Sequence, residues 1–124
     1  MAEKKILIVE DEEDFAEMLQ LSLNTIGYEV NVAFDAYQGN KELVNNNFDL
    51  VVMDLGLPVA DGFTLLERIK RIPEKSKIPV VLLTGRMVNQ DVINKARKYK
   101  ISAIFTKPYD REKFFKKVKS LAPV

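Results

Sequence analysis

The chain has 124 residues, 47% hydrophobic and 30% charged, with a formal net charge of +1 and neither cysteine nor histidine. That length closes one hydrophobic core and is short for two, and the balance of apolar and charged residues is that of a globular domain rather than a disordered or fibrous chain. Without cysteine there is no disulfide framework or thiolate chemistry, and without histidine the usual acid/base and zinc-binding side chain is missing.

The chain opens on MAEKKILIVEDEED, in which two lysines precede only four apolar residues before acids begin. This is too short for a secretory signal, no later window approaches a membrane span, and a cytoplasmic location is expected. KKILIVE instead reads as a first, buried strand. In DEEDFAEMLQLSLNTIG, residues 11–27, Phe15, Met18, Leu19, Leu21 and Leu23 recur near helical spacing, with Gly27 as the C-terminal cap. YEVNVAF alternates as a second strand, and AYQGNKELVNNN is a helix that the asparagines end. DLVVMD is a third strand, again apolar throughout, followed by a loop to Asp61, an N-cap for the helix GFTLLERIKRI. IPVVLLT is the fourth strand, VNQDVINKARKYK a helix, ISAIFT the fifth strand, and DREKFFKKVKSL a last helix capped by Asp110, with Phe114 and Phe115 in the core.

Five strands alternating with five helices imply a doubly wound α/β fold: a parallel sheet covered on both faces. Helices on both faces require the strand order to reverse once, because crossovers are right-handed. In the common flavodoxin-like order 2-1-3-4-5 the reversal lies between strands one and three, and ligands bind outside the strand carboxyl ends there. The same geometry puts the first and last helices on one face. Residues 1–62 hold 13 Asp and Glu against 3 Lys and Arg, and residues 63–124 hold 5 against 16. Glu12, Glu13, Asp14 and Glu17 on the first helix are therefore expected opposite Lys113, Lys116, Lys117 and Lys119 on the last, which explains the asymmetry without nucleic acid. Each such exposed pair is worth only ~0.2–1 kcal/mol.

The strand ends carry the chemistry. Glu10 and Asp11 follow the first strand and Asp54 the third, so three carboxylates converge at the switch point. Taken singly, an acid after a strand is an N-cap or a solvated loop residue. Taken together they repel: at an effective dielectric of about 20, two like charges ~4 Å apart cost about 4 kcal/mol. They must take up protons or share a cation. Mg²⁺ suits one or two carboxylates, a main-chain carbonyl, waters and a phosphate oxygen, whereas Ca²⁺ wants more oxygens. The fourth strand ends at Thr84, a hydroxyl donor, and the fifth at Lys107, whose ammonium can reach back over the acids. A cis Lys107–Pro108 bond would turn the lysine inward. Carboxylate nucleophile, cation and hydroxyl together suit a phosphoryl group.

These residues resemble a known family. ILIVEDEED, DLVVMDLGLPVADGF, PVVLLTG and FTKPY, in this order along the whole of residues 1–124, resemble the response-regulator receiver domain of two-component signalling. That resemblance implies Asp54 as phosphoacceptor, Asp11 as direct Mg²⁺ ligand, Glu10 acting largely through metal-bound water and the Gly56 main-chain carbonyl as a further ligand. It implies Thr84 and Lys107 on the phosphoryl oxygens. It also implies a sensor histidine kinase or phosphotransfer protein as donor, with a target or second copy engaged through helix four, strand five and helix five. Neither nucleic acid nor membrane is an expected partner of this domain. The family usually has Asp-Asp where this chain has Glu10-Asp11, and Tyr or Phe as a rotating switch where this chain has Ile104. Phe105 is adjacent but should face the other side of the sheet. Switching is therefore expected to run through Thr84 and loop movement with a smaller side-chain swing.

Two rivals belong to other classes. A small Mg²⁺-dependent phosphohydrolase with an aspartate nucleophile would place that Asp after the first strand with a second Asp two residues on, whereas here Gly56 follows Asp54 at that spacing. A flavin-binding electron carrier would need a hydroxyl-rich phosphate loop where this chain has VEDEEDF.

Overall fold

The computed structural model describes residues 3–55, 62–85 and 88–124. Among them, strands and helices alternate: β1 (Lys5–Val9), α1 (Glu13–Thr25), β2 (Glu29–Ala33), α2 (Ala36–Asn45), β3 (Leu50–Met53), α3 (Gly62–Arg71), β4 (Val80–Thr84), α4 (Gln90–Lys98), β5 (Ala103–Thr106) and α5 (Arg111–Leu121). The strands form one parallel sheet in the order β2-β1-β3-β4-β5. This is the five-stranded order expected from the alternation. No helix among the described residues is long and apolar enough to cross a membrane.

Strand alternation divides the core into two layers. Leu7, Val9, Val51, Met53, Val80 and Leu82 point to one face, where they meet Leu43 of α2, Leu65, Leu66 and Ile69 of α3, and Val92 of α4. Ile6, Ile8, Leu50, Val52, Val81 and Leu83 point to the other, against Leu19 and Leu23 of α1 and Phe114 and Val118 of α5. Being apolar at every position lets β3 be buried on both faces, and β4 is likewise apolar from Val80 to Leu83 before it ends on Thr84. The expected split of neighbours on β5 is present: Ile104 packs on the α2/α3/α4 side and Phe105 on the α1/α5 side.

The charge pairing expected between α1 and α5 does not form. Among the described residues, Glu13, Asp14 and Glu17 make no ion pair with Lys113, Lys116, Lys117 or Lys119, and Glu12 instead approaches Lys107 at 3.7 Å. The reason is one of magnitude. Fully burying a Leu, Val or Phe side chain is worth about 1.5–3 kcal/mol. An exposed ion pair is worth ~0.2–1 kcal/mol, so apolar packing of Leu19 and Leu23 near Phe114 and Val118 sets how the helices lie.

Helix ends follow local chemistry. Asp35, Asn89 and Asp110 each accept a backbone N–H with the side chain, from Gln38, Val92 and Lys113, at 2.7, 3.0 and 3.1 Å. The Asn89 cap starts α4 later than the expected Val88. The expected Asp61 cap lies outside the described residues. α1 starts at Glu13 and not at Asp11, because the Glu12 N–H donates to the Glu10 carboxylate (3.1 Å) and Glu12 itself is extended. It ends as expected on Gly27, with φ +107°, where the N–H groups of Gly27 and Tyr28 donate to the carbonyls of Asn24 and Leu23.

α4 ends on the same hydrogen-bond pattern, with the N–H groups of Lys100 and Ile101 donating to Arg97 and Ala96. Here the left-handed position is occupied by a lysine, Lys100, at φ +56°. A side chain in that conformation costs roughly 1–2 kcal/mol, part of which glycine returns through its freer unfolded state. Lys100→Gly is expected to stabilise the protein by about 0.5–1 kcal/mol, read as a raised urea midpoint at unchanged slope. An unchanged or lowered midpoint would mean that the Lys100 side chain contributes more than its backbone costs.

Candidate functional site

The register of the central strands aligns the acids. Val9 pairs with Met53, and the Asp54 N–H donates to the Val9 carbonyl (3.0 Å) while the Glu10 N–H donates to the Ala33 carbonyl (2.9 Å). Glu10 and Asp54 thus stand one step beyond a matched pair, and alternation gives both the α1/α5 side of the sheet, in line with Ile8 and Val52. Lys107 follows β5 with the same parity as Phe105, and its N–H donates to the Thr84 carbonyl (2.9 Å). The Lys107–Pro108 peptide bond is cis. Parity therefore brings Glu10, Asp54 and Lys107 together on one side.

The side chains meet there. The Lys107 ammonium donates to Glu10 Oε1 and to Asp54 Oδ2 (3.3 Å), and lies 4.4 Å from the centre of the Phe15 ring. Glu10 and Asp54 are buried and Asp11 is exposed. Carboxylate oxygens of Glu10, Asp11 and Asp54 come within 4.8 Å of one another. Three hard oxygen donors with one open to water fit Mg²⁺ better than a softer metal, and Lys107 occupies the same acidic hollow as a built-in cation. The expected Gly56 carbonyl ligand lies outside the described residues.

Both resolutions of the charge conflict operate. The Glu10 carboxyl is raised to about 7: burial is the largest cause, hydrogen bonds from Lys107 and the Glu12 N–H oppose it, and Asp11 and Asp54 add to the rise. For Lys107, burial alone would lower the ammonium, but the hydrogen bond to Glu10 and the charges of Asp54 and Glu10 raise it above its ordinary value. A carboxyl whose folded-state value exceeds its unfolded one favours the folded protein most at acid pH, and loses that contribution as pH rises through the folded value. In buffer free of divalent cations, the urea midpoint is expected to fall as pH climbs from 4.5 to about 7. Adding Mg²⁺, or replacing Glu10 by Gln, should remove most of that slope. A midpoint that rises across this window would show that Glu10 stays ionised in the fold.

Thr84 is fully buried, and by alternation it belongs with Val80 and Leu82 on the face opposite Glu10 and Asp54. Leu82 pairs with Ile104 and Thr84 with Thr106, so Thr84 and Ile104 share that face, two steps apart across the strand pair. Gly62, the first residue of α3, also has a packing role. A Cβ there would stand 2.8 Å from the Asp54 carbonyl oxygen and 3.2 Å from Leu55 Cα, so its missing side chain is what lets α3 start against the end of β3.

Two members of the site were not apparent as such in the sequence. Phe15 was assigned to the helix core, yet its ring face supports the Lys107 ammonium and its edge meets Tyr109, which packs on Phe114. Glu12 was assigned to pairing with α5 and instead faces Lys107. The available signal was one aromatic residue inside the acidic run EDEEDF. The arrangement suits a ligand that carries negative charge, because the Lys107 ammonium stands beside Asp54.

Comparison with known proteins agrees. The sequence profile of the response regulator receiver domain matches residues 6–119. The DNA-binding dual master transcriptional regulator RpaA of Synechocystis is 34% identical over 121 residues, covering 94% of this chain and 48% of that protein. Response regulator ArlR of Staphylococcus haemolyticus is 29% identical over 116 residues, covering 94% and 51%. The chain spans about half the length of these relatives. Among solved structures, the signal receiver domain of an HD domain-containing protein from Pseudomonas fluorescens superposes with a TM-score of 0.87 at 30% identity, covering 97% of this chain and 94% of that one. The non-phosphorylated HemR receiver domain of Leptospira biflexa gives 0.86 at 28% identity, covering 98% and 95%.

Proposed function

The chain belongs to the response-regulator receiver domain family, and from that premise we propose that Asp54 is its phosphoacceptor, with Asp11, Asp54 and the Gly56 carbonyl as Mg²⁺ ligands and Glu10 acting through water. An Asp54 carboxylate oxygen attacks the phosphorus of a phosphohistidine on a sensor kinase or phosphotransfer protein, or of a small phosphodonor. The bond from phosphorus to the donor breaks, its electron pair leaves with the donor, and a 4-aspartylphosphate remains. Mg²⁺, when bound, offsets charge on the phosphoryl oxygens. The Lys107 ammonium, held over the Phe15 ring, supplies a second positive group on the same side, and the Thr84 hydroxyl, which lies on the other face in this structure, supplies a donor once the end of β4 shifts.

The observation that carries this reading is the convergence of Glu10, Asp11, Asp54 and Lys107 at the carboxyl ends of β1, β3 and β5. The phosphoryl group brings charge and acceptor oxygens that draw on Thr84 and Lys107 and so bias the face of α4, β5 and α5, through which a target or a second copy docks. With Ile104 at the usual aromatic position, this shift proceeds with little side-chain rotation there. Incubation with acetyl phosphate and Mg²⁺ should add one acyl phosphate per chain, mapping to the peptide that contains Asp54. Label on another residue would displace the acceptor. Continued release of phosphate over many cycles per chain would favour the phosphohydrolase.

A further inference from the structure

At the opposite end of the sheet, where β4 and β5 begin, a cavity of about 650 Å³ is lined by Lys70, Lys77, Lys98 and Lys100, with Tyr99 and Ser102 among its other walls. Its size is within the range of small-molecule sites. No Asp or Glu lines it, and among the described residues none of the four lysines forms an ion pair. The bland explanation is that lysines near helix ends complement the helix dipoles. That explanation falls short in amount: α3, α4 and α5 end here, and three C-termini supply roughly half a negative charge each against four ammonium groups.

Two further observations say that the cluster is held together against its own repulsion. Lys70 donates to the Ser76 carbonyl at 3.1 Å, and its ammonium is disfavoured first by burial and then by the charge of Lys100. Lys100 itself stands in the left-handed conformation at a helix end where glycine would be less strained. Backbone and electrostatic strain thus converge on one concave surface.

We propose that this cavity binds a small molecule bearing several phosphates, the anionic oxygens lying among Lys70, Lys77, Lys98 and Lys100. The compact hollow favours a multiply charged small anion over an extended acidic chain, and Ser102 adds a hydroxyl donor. The site is separate from Asp54 and does not depend on the phosphoacceptor reading. It borders the end of α4 and the start of β5.

The test is a titration by amide chemical shifts and calorimetry in EDTA at constant ionic strength, using tripolyphosphate, ATP and tetraglutamate. Tripolyphosphate is expected to bind saturably at one site per chain and to shift the amide signals of residues 70, 77, 78 and 98–102. Lys70→Gln and Lys100→Gln should each weaken binding about tenfold, as loss of one charge-assisted hydrogen bond would. A control double variant, Lys113→Gln with Lys116→Gln, removes as many charges or more from α5 outside the cavity and should leave affinity within about twofold; Asp54→Asn should leave it unchanged. Tighter binding of ATP than of tripolyphosphate would identify a nucleotide as the source of the phosphates, and equal binding an inorganic one. Absence of saturation, equal weakening by the control variant, shifts centred on residues 10, 54 and 107, or tetraglutamate binding at least as tightly would each overturn the proposal.

Discussion

Asp54→Asn is expected to reduce stable labelling by acetyl phosphate to background while leaving the folded protein intact. The amide keeps the shape of the carboxylate and loses its nucleophilic charge. Stability should change by no more than about 1 kcal/mol, because the substitution removes both an attraction and a repulsion of similar range. The attraction is to Lys107 at 3.3 Å, and the repulsion is with Glu10 and Asp11, whose oxygens share the same 4.8 Å cluster. The Glu10 carboxyl should titrate lower in this variant, since Asp54 is one of the charges that raise it. Mass spectrometry of the intact protein and its peptides reads the first effect, and urea unfolding the second. Label retained on the variant would place the acceptor elsewhere.

Lys107→Met should have the largest effect on stability. Methionine keeps much of the apolar stem and the contact with Phe15 but leaves Glu10 and Asp54 as neighbouring buried carboxylates without their ammonium. Removing one partner of a buried ion pair costs about 3–5 kcal/mol when the other must stay charged. The carboxyls can escape part of this by taking up protons, so the loss should be greatest at pH 8 and much smaller at pH 5. Mg²⁺ should restore part of it at pH 8, by supplying positive charge to the same acids. Unfolding at both pH values with and without the ion checks this, and a loss independent of both would mean that the lysine acts through packing alone.

Much of this arrangement is legible in the residue order, for physical reasons. Strands buried on both faces must be apolar throughout, so ILIV, LVVM and VVLL announce themselves, and the polar residues that follow them, Glu10, Asp54 and Thr84, are placed at the sheet's carboxyl edge without reference to coordinates. Period-two alternation separates Ile104 from Phe105 in the same way. What could not be read depends on distances between segments remote in sequence. Lys107 lies 97 residues from Glu10, and its meeting with Glu10, Asp54 and the Phe15 ring depends on how segments remote in sequence pack. The expected α1/α5 ion pairs failed because exposed charges are too weak to position helices whose apolar sides already fit. The close approach of Gly62 to the end of β3 was not legible either, because composition does not reveal how near two backbones come. The lysines of the second cavity come from α3, a loop and the end of α4, and only the fold makes them concave.

The contact of Gly62 with the end of β3 also has a mechanical meaning. Elsewhere, layers of side chains separate helices from the sheet and can yield by rotating about their bonds. Here main chain rests near main chain, with the Asp54 carbonyl oxygen 2.8 Å from where a Cβ would stand. The Gly62 N–H also donates to the Leu55 carbonyl at 3.1 Å, so the strand tip beside Asp54 and the first turn of α3 share a main-chain seam through which a shift of one bears on the other.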